Sequence, residues 1–275
     1  MFHDLSVPAS LHERHGDGVL WEVARLGYDV VAFETTVAGK LGPEHLPPPH
    51  LRRSADGSPG GDAAPVHTRS GSVGHYVQLP DAGGGHDTAI LRLERRQPTG
   101  GKLLQLTRVT VEVRETADLT NLASPILAQY DIVAVRPATE KLMQQCMQFD
   151  IDILSLDLSA RLPFFVKRPQ SHVAAEKGVA FEIAYYGALC DGARRRFLIS
   201  NAVALVCALR GRNIVLTSAA ASLLHLRGPY DVINLALLFN LDLQQARDAV
   251  VGTPAAVVKH ACARRAHKGF AYIAQ

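Results

Sequence analysis

The chain has 275 residues, 47% hydrophobic and 20% charged, with 29 Lys and Arg against 26 Asp and Glu and a net charge of +3. That is ordinary for a globular protein with a real core, enough for one large barrel or two small domains without disulfide or metal staples. The N-terminus, with Asp4, Glu13 and Arg14, has no apolar signal core, and the longest apolar run, Ala202 to Leu209, falls far short of the ~20 residues that span a bilayer, so neither secretion nor membrane embedding is expected.

Met1 to Val7 alternates as a strand closed by Pro8; a helix follows from about Val19 to Leu26, stopped by Gly27, and Asp29 to Glu34 reads as a second, buried strand. From Leu41 to Gly100 the texture changes, with ten glycines and eight prolines in sixty residues. That composition predicts a low-complexity insertion in one barrel domain spanning 1–275. Its histidines, His45, His50, His67, His75 and His86, match no ligand spacing. Leu104 to Val113 alternates as a half-buried strand, Asp131 to Val135 is the fourth strand, and Thr139 caps a helix running to about Phe149.

Ile151 to Asp157 and Val179 to Tyr185 are the next two strands. Between them Leu162 to Pro169 reads as a stiff, proline-framed loop presenting Phe164, Phe165, Lys167 and Arg168. A helix from about Arg196 to Arg210, a seventh strand from Asn213 to Thr217, and helices begun by Pro229, by the Asp242–Gln245 capping box and by Thr253-Pro254 complete the chain. Short apolar strands alternating with helices predict an α/β fold with a parallel sheet, and seven of them favour closure into a TIM-like (β/α) barrel. No GxGxxG or Walker loop follows any strand, which removes the dinucleotide and P-loop readings. Cys146, Cys190, Cys207 and Cys262 form no CxxC pair, and Cys146 and Cys207 read as small buried hydrophobes in a reducing compartment.

The runs LPFFVKRP, GVAFEIAYY, LTSAA and LRGPYDVINLALLF resemble the thirty-kilodalton protein subunit of eukaryotic and archaeal ribonuclease P, shared with RNase MRP. The similarity covers Leu104 to the C-terminus well and Met1 to Val37 more loosely. It implies a distorted barrel related to the PHP phosphoesterases. It also implies a non-catalytic subunit that scaffolds the RNA removing the 5′ leader of precursor tRNA, bound to RNase P RNA or RNase MRP RNA and to small protein subunits, one of them a heterodimer partner. A nuclear, often nucleolar, address follows from the same resemblance, and no cofactor or metal is implied.

The alternative is a metal-dependent PHP-type phosphoesterase, of which His3, Asp4 and Glu182 would be remnants. Alanines at 219, 220 and 221 stand where further ligands would be needed, so Glu182 reads instead as a buried carboxylate paired with an arginine. From Arg161 to Arg227 there are ten Lys or Arg against three acids. In a parallel barrel the βα loops share one face, which predicts an RNA-binding rim of Lys167, Arg168, Arg194, Arg195, Arg196 and Arg227, extended by Arg114 and Arg136, with Phe164 and Phe165 either stacking on bases or plugging the core. Arg264, Arg265 and Lys268 offer a second basic face, and Pro229, Tyr230, Asp231 and Asn234 a partner-docking surface, in a turn capped by Asp231.

Overall fold

All seven expected strands form in the computed structural model, which describes residues 1–47, 75–78 and 102–269. In chain order they are β1 (His3–Pro8), β2 (Val30–Ala38), β4 (Lys102–Val113), β5 (Ile132–Pro137), β6 (Ile153–Ser155), β7 (Ala180–Ala184) and β8 (Ile214–Thr217), each parallel to the next. An extra strand, β3 (His75–Gln78), runs antiparallel to the first residues of β4. Most of the expected insertion at 41–100 lies outside the described residues. Its leading edge is packed: Leu41 is buried, its N–H donates to Asn121 Oδ1 at 2.9 Å, and Tyr130 Oη donates to His45 O at 2.6 Å.

The ladder ends at β8, and the seam back to β1 is closed without one. A bulge between Asp4 and Val7 frees the Ser6 N–H, which Asp4 Oδ1 accepts at 3.2 Å. The same oxygen accepts from Ser218 N at 3.1 Å, and Ala219 N donates to Ser6 O at 2.8 Å. A bulge plus side-chain bridges distorts a barrel in this way because the extra residue re-aims the strand.

Side-chain parity sorts the core into layers. Leu5, Val30, Ala32, Leu106, Ile132, Ala134, Ile153, Ala180 and Val215 fill the lower interior together with Val257 and Ala261 of α9 (Gly252–Gly269), which plugs that end. The plug is tied electrostatically: Arg264 reaches Asp152 at 3.0 Å and Asp131 O at 2.9 Å, His260 Nδ1 meets Asp152 Oδ1 at 2.8 Å, and Arg265 pairs with Asp131. Arg264 is therefore a buried clamp and not part of a second basic face. Outward residues of β4 to β8, such as Val109, Val111, Val133, Leu154, Phe181 and Leu216, pack under α3 (Glu140–Cys146), α6 (Gly192–Leu209), α7 (Pro229–Ala236) and α8 (Leu243–Val250). The outer faces of β1 and β2 pack on α1 (Ala9–His15) and α2 (Asp17–Leu26).

The expected punctuation holds at Gly27, left-handed at φ 99, at Thr139, whose Oγ1 accepts from Leu142 N, and at the reciprocal Asp242–Gln245 box. Two local readings fail. Pro169 does not close a loop but sits in the first turn of α4 (Arg168–Glu176), where its missing N–H costs no helical bond. Cys146 is buried as expected, whereas Cys207 faces solvent on α6.

Candidate nucleic-acid interface

Above the apolar layer, toward the C-terminal ends of the strands, the barrel interior turns polar around Arg108. This residue is fully buried, 0% exposed. Its Nη1 and Nη2 donate to the two oxygens of Glu182 at 2.5 and 2.6 Å, Nη1 also donates to Leu5 O at 3.0 Å, and Nε to Thr110 Oγ1 at 3.2 Å. Glu34 lies 3.5 Å away and accepts from Ser6 Oγ and Thr110 Oγ1. Thr217 Oγ1 adds a 2.8 Å bond to Glu182. The expected arginine partner of Glu182 is thus Arg108, reaching across the barrel from β4 to β7.

Charge states follow from this arrangement. Burial alone would raise Glu182, but the Arg108 charge and hydrogen bonds from Arg108, Ser155 and Thr217 outweigh it and hold the carboxyl at about 2. Arg108 is desolvated too, yet Glu182 and Glu34 keep it firmly protonated. Asp4 lacks such a cation: burial pushes it up to about 6, only partly offset by bonds from Ser218 and Ser6. Burial holds His3 down at about 4, and its Nδ1 has no hydrogen-bond partner among the described residues. Glu182 does not fit a metal ligand, because both of its oxygens are committed to the Arg108 guanidinium. Among the described residues no group of three or more His, Cys, Asp or Glu is arranged to hold a metal ion.

The rim places the predicted cations unevenly. Asp191 caps α6, accepting from Ala193 N and Arg194 N, and so fixes Arg194, Arg195 and Arg196 at the mouth. Arg194 also pairs with Asp191 at 3.5 Å, while Arg195 and Arg196 donate Nε to the carbonyls of Ala188 and Gly192. The Arg227 backbone is clamped by two buried tyrosines, its O accepting from Tyr28 Oη at 2.9 Å and its N donating to Tyr185 Oη at 3.0 Å; its guanidinium closes its own loop through Leu224 O and Leu226 O.

Lys167 and Arg168 do not join this rim. The segment after β6 stays at the mouth as far as Phe164 and turns down the outer wall only as it enters α4, so that Ser171, in the first turn of α4, lies 3.4 Å from Ala208 O near the far end of α6. At 1.5 Å per residue, that end is about 21 Å from Arg194. Lys167 is bonded to Glu140 at 2.8 Å and Arg168 is exposed. Phe164 packs partly against the core, leaving Phe165 as the exposed ring of the pair.

The cations that line the mouth itself are Arg136 and Arg194 on one cleft of about 330 Å³, and Arg114, Arg136 and Arg161 on an adjoining one of about 310 Å³. Of the proposed docking residues, Pro229 is buried in the first turn of α7, whereas Tyr230, Asp231 and Asn234 are exposed. Asp231 lies in that turn but makes no capping bond. Leu237 and Leu238 follow in a 3-10 turn and are exposed as well, and the Tyr230 ring meets Phe2 edge-on at 5.3 Å.

The family model described as RNase P subunit p30 matches residues 1–266. The chain belongs to that family. It is 42% identical over 163 residues to "Ribonuclease P protein subunit p30" of Mus musculus, covering 58% of this chain and 61% of that protein. It is 35% identical over 150 residues to "Ribonuclease P/MRP protein subunit RPP1" of Saccharomyces cerevisiae, covering 54% and 50% respectively. The matched part of this chain therefore spans only half to three fifths of these relatives. A chain in the cryo-EM structure of archaeal ribonuclease P with mature tRNA shares the fold, with a TM-score of 0.60 at 12% identity over 99% of this chain and 98% of that one.

In this p30-family chain the cleft residues that sequence reasoning passed over are Tyr186, Ser155 and Ser159, and it ranked Arg136 only as an edge. Strand parity could have found two of them: Ile132, Ala134 and Arg136 alternate inward on β5, and Ser155 follows the inward Ile153 on β6, whereas Tyr186 lies past the end of β7 in the helical turn that follows. Ser159 was not legible, because the turn that brings it to the mouth is set by Asn201, whose Nδ2 donates to Leu158 O and Ala160 O.

Proposed function

We propose that the chain is a protein subunit of the ribonuclease P ribonucleoprotein, and of the related RNase MRP particle, that scaffolds the RNA component cutting the 5′ leader from precursor tRNA. Membership of the p30 family across residues 1–266 carries this reading. Two features of the barrel agree with it: the interior carboxylate of Glu182 is neutralised by Arg108, and the mouth presents Arg114, Arg136, Arg161 and Arg194 outward. Phosphates are the acceptors such an arginine set serves, while base-reading Asn and Gln side chains are absent from the residues lining these clefts.

The protein partner docks, in this proposal, on the exposed face of α7 formed by Tyr230, Asp231 and Asn234 and continued by Leu237 and Leu238, with Pro229 fixing the turn from beneath. A small subunit of the same particle is the occupant, and the proposed location is the nucleus, in the nucleolus. No observation favours the phosphoesterase alternative.

The test is to purify the tagged protein from its cells and sequence the RNA that comes with it. One abundant structured RNA with several small basic proteins is the expected result. A lone protein that hydrolyses a phosphoester when manganese is added would overturn the reading.

A further inference from the structure

Two inward arginines on neighbouring strands have opposite hydrogen-bonding states. Arg108 is saturated by Glu182, Thr110 and Leu5 O. Arg136, at the rim end of β5, is not. Its Nη1 reaches Glu112 at 3.3 Å, its Nη2 reaches Ser155 Oγ at 3.5 Å, and its buried Nε finds no acceptor among the described residues. Charge-assisted guanidinium bonds run about 2.7–2.9 Å, so this fork is set for an acceptor it does not find among the described residues.

The side chain is 35% exposed and lines the cleft of about 330 Å³ with Arg194, Asp157, Tyr186 and Ala219. The walls are built rather than incidental. Asn201 pins the turn through two carbonyls, at 2.9 and 2.8 Å, and Asp157 Oδ1 accepts from Ser159 N at 3.1 Å. A Cβ on Gly187 would stand 2.1 Å from Ser159 Oγ, so only glycine lets that turn seat against α5 (Tyr186–Leu189). Ala219 holds a left-handed φ of 46, a conformation costing a non-glycine residue roughly 1 kcal/mol or more, retained where its N–H closes the barrel on Ser6. The Tyr186 ring is braced edge-on by His225 at 4.9 Å.

A phosphate supplies the oxygens the Arg136 fork lacks, with Arg194 on the same wall. A bare phosphate would leave most of the cleft empty, and the aromatic ring together with the Asp157 acceptor suits a sugar hydroxyl and a base. We propose that this cleft binds one phosphorylated ribonucleoside, its phosphate on Arg136 and its base against Tyr186. The nucleotide is either free or an unpaired residue of an RNA, and the proposal rests on the RNA-subunit reading only for the second source.

The test follows the Arg136 Nε–H resonance of the full chain by NMR during titration with 5′-AMP, ribose 5-phosphate, inorganic phosphate and a 5′-phosphorylated single-stranded pentaribonucleotide. The expected result is a saturable shift, with 5′-AMP or the pentanucleotide binding at least about tenfold more tightly than ribose 5-phosphate, as a stacked base requires. A response to 5′-AMP supports the free source, and a response to the pentanucleotide alone supports the RNA source. Arg136→Lys keeps the charge but loses the fork and should weaken binding about tenfold or more, read by calorimetry. Tyr186→Leu should erase the advantage over ribose 5-phosphate without touching the phosphate affinity.

Silence of Nε to every probe, or undiminished affinity in Arg136→Lys, overturns the cleft. If Nε is silent while the chain still recovers its RNA from cells, the cleft fails and the subunit reading stands; a response to 5′-AMP with no RNA recovered gives the reverse.

Discussion

Replacing Arg108 by methionine keeps the volume of the stem and removes the guanidinium, leaving Glu182 and Glu34 facing each other without their cation. Truncating one partner of a buried ion pair costs about 3–5 kcal/mol, because the remaining charge is neither solvated nor paired. Arg108 is 0% exposed and Glu182 2% exposed, so neither gains water by local relaxation. For a chain of this size each kcal/mol moves the midpoint about 2–4 °C, giving a fall of about 12 °C at pH 7 by circular dichroism. Adding Glu182→Gln to the variant should recover part of the loss, and a double-mutant cycle should return a coupling of about 2 kcal/mol or more.

The same pair fixes a pH signature. Glu182 is held at about 2 against its ordinary 4.5, so its contribution is present above 4.5 and is lost as pH falls toward 2. The gap between wild type and Arg108→Met should therefore narrow on acidification from pH 5 to pH 2. A loss below about 1 kcal/mol for Arg108→Met, or a gap unchanged across that range, would refute the view that this pair holds the upper barrel together.

Asp4, raised to about 6 by burial, contributes stability below its ordinary 3.8 that fades as pH rises through 6. Because asparagine does not titrate, the stability of Asp4→Asn relative to wild type should climb between pH 4 and pH 7, by about 2 kcal/mol, and a flat difference would show that the carboxyl ionises freely. His260 is raised, chiefly by its hydrogen bond to Asp152, so its hold on α9 is full below 6.5 and lost as pH rises past the folded value. Hydrogen-exchange protection of α9 should then fall with rising pH in wild type but not in His260→Gln, and equal pH profiles would dismiss the clamp. Alanine at Arg194, Arg195 and Arg196 together should flatten the salt dependence of RNA binding by about 0.7–0.9 per lost phosphate contact, and Lys167→Ala with Arg168→Ala by no more than one contact; an unchanged slope in the triple variant would move the RNA to another face.

The strand ladder was legible because its strands are short, apolar and regularly spaced, but the division of the barrel interior was written more subtly. In β4 the apolar parity switches midway, from Leu104 and Leu106 to Val109, Val111 and Val113. Read as simple alternation, the strand has one buried face. In the barrel both faces are buried, and the switch marks where the interior becomes polar, with Arg108, Thr110 and Glu112 pointing inward. The misplacement of Lys167 and Arg168 has a different cause: βα adjacency predicts a rim position only for a short loop, and here residues 156–164 take the mouth positions before the chain turns down into α4. Arg264 reads as part of a basic tail because its partner, Asp152, lies 112 residues earlier.

A guanidinium held against the Glu182 carboxylate limits what the barrel mouth can do. A metal held by Glu182 would leave open coordination positions for water and substrate, whereas Arg108 is planar, permanently charged and saturated by carboxylates, a hydroxyl and a carbonyl. It links β4 to β7 across the interior and also holds Leu5 O on β1, bracing the side of the barrel where the β1–β8 seam has no continuous ladder. With the interior charge neutralised and the seam braced, Arg136 at the rim end of β5 and Arg194 at the start of α6 stand on rigid elements. A phosphate that meets Arg136 and Arg194 then finds them already positioned, so less of its binding energy goes into ordering the side chains, the condition under which a surface of few cations holds RNA in a defined place.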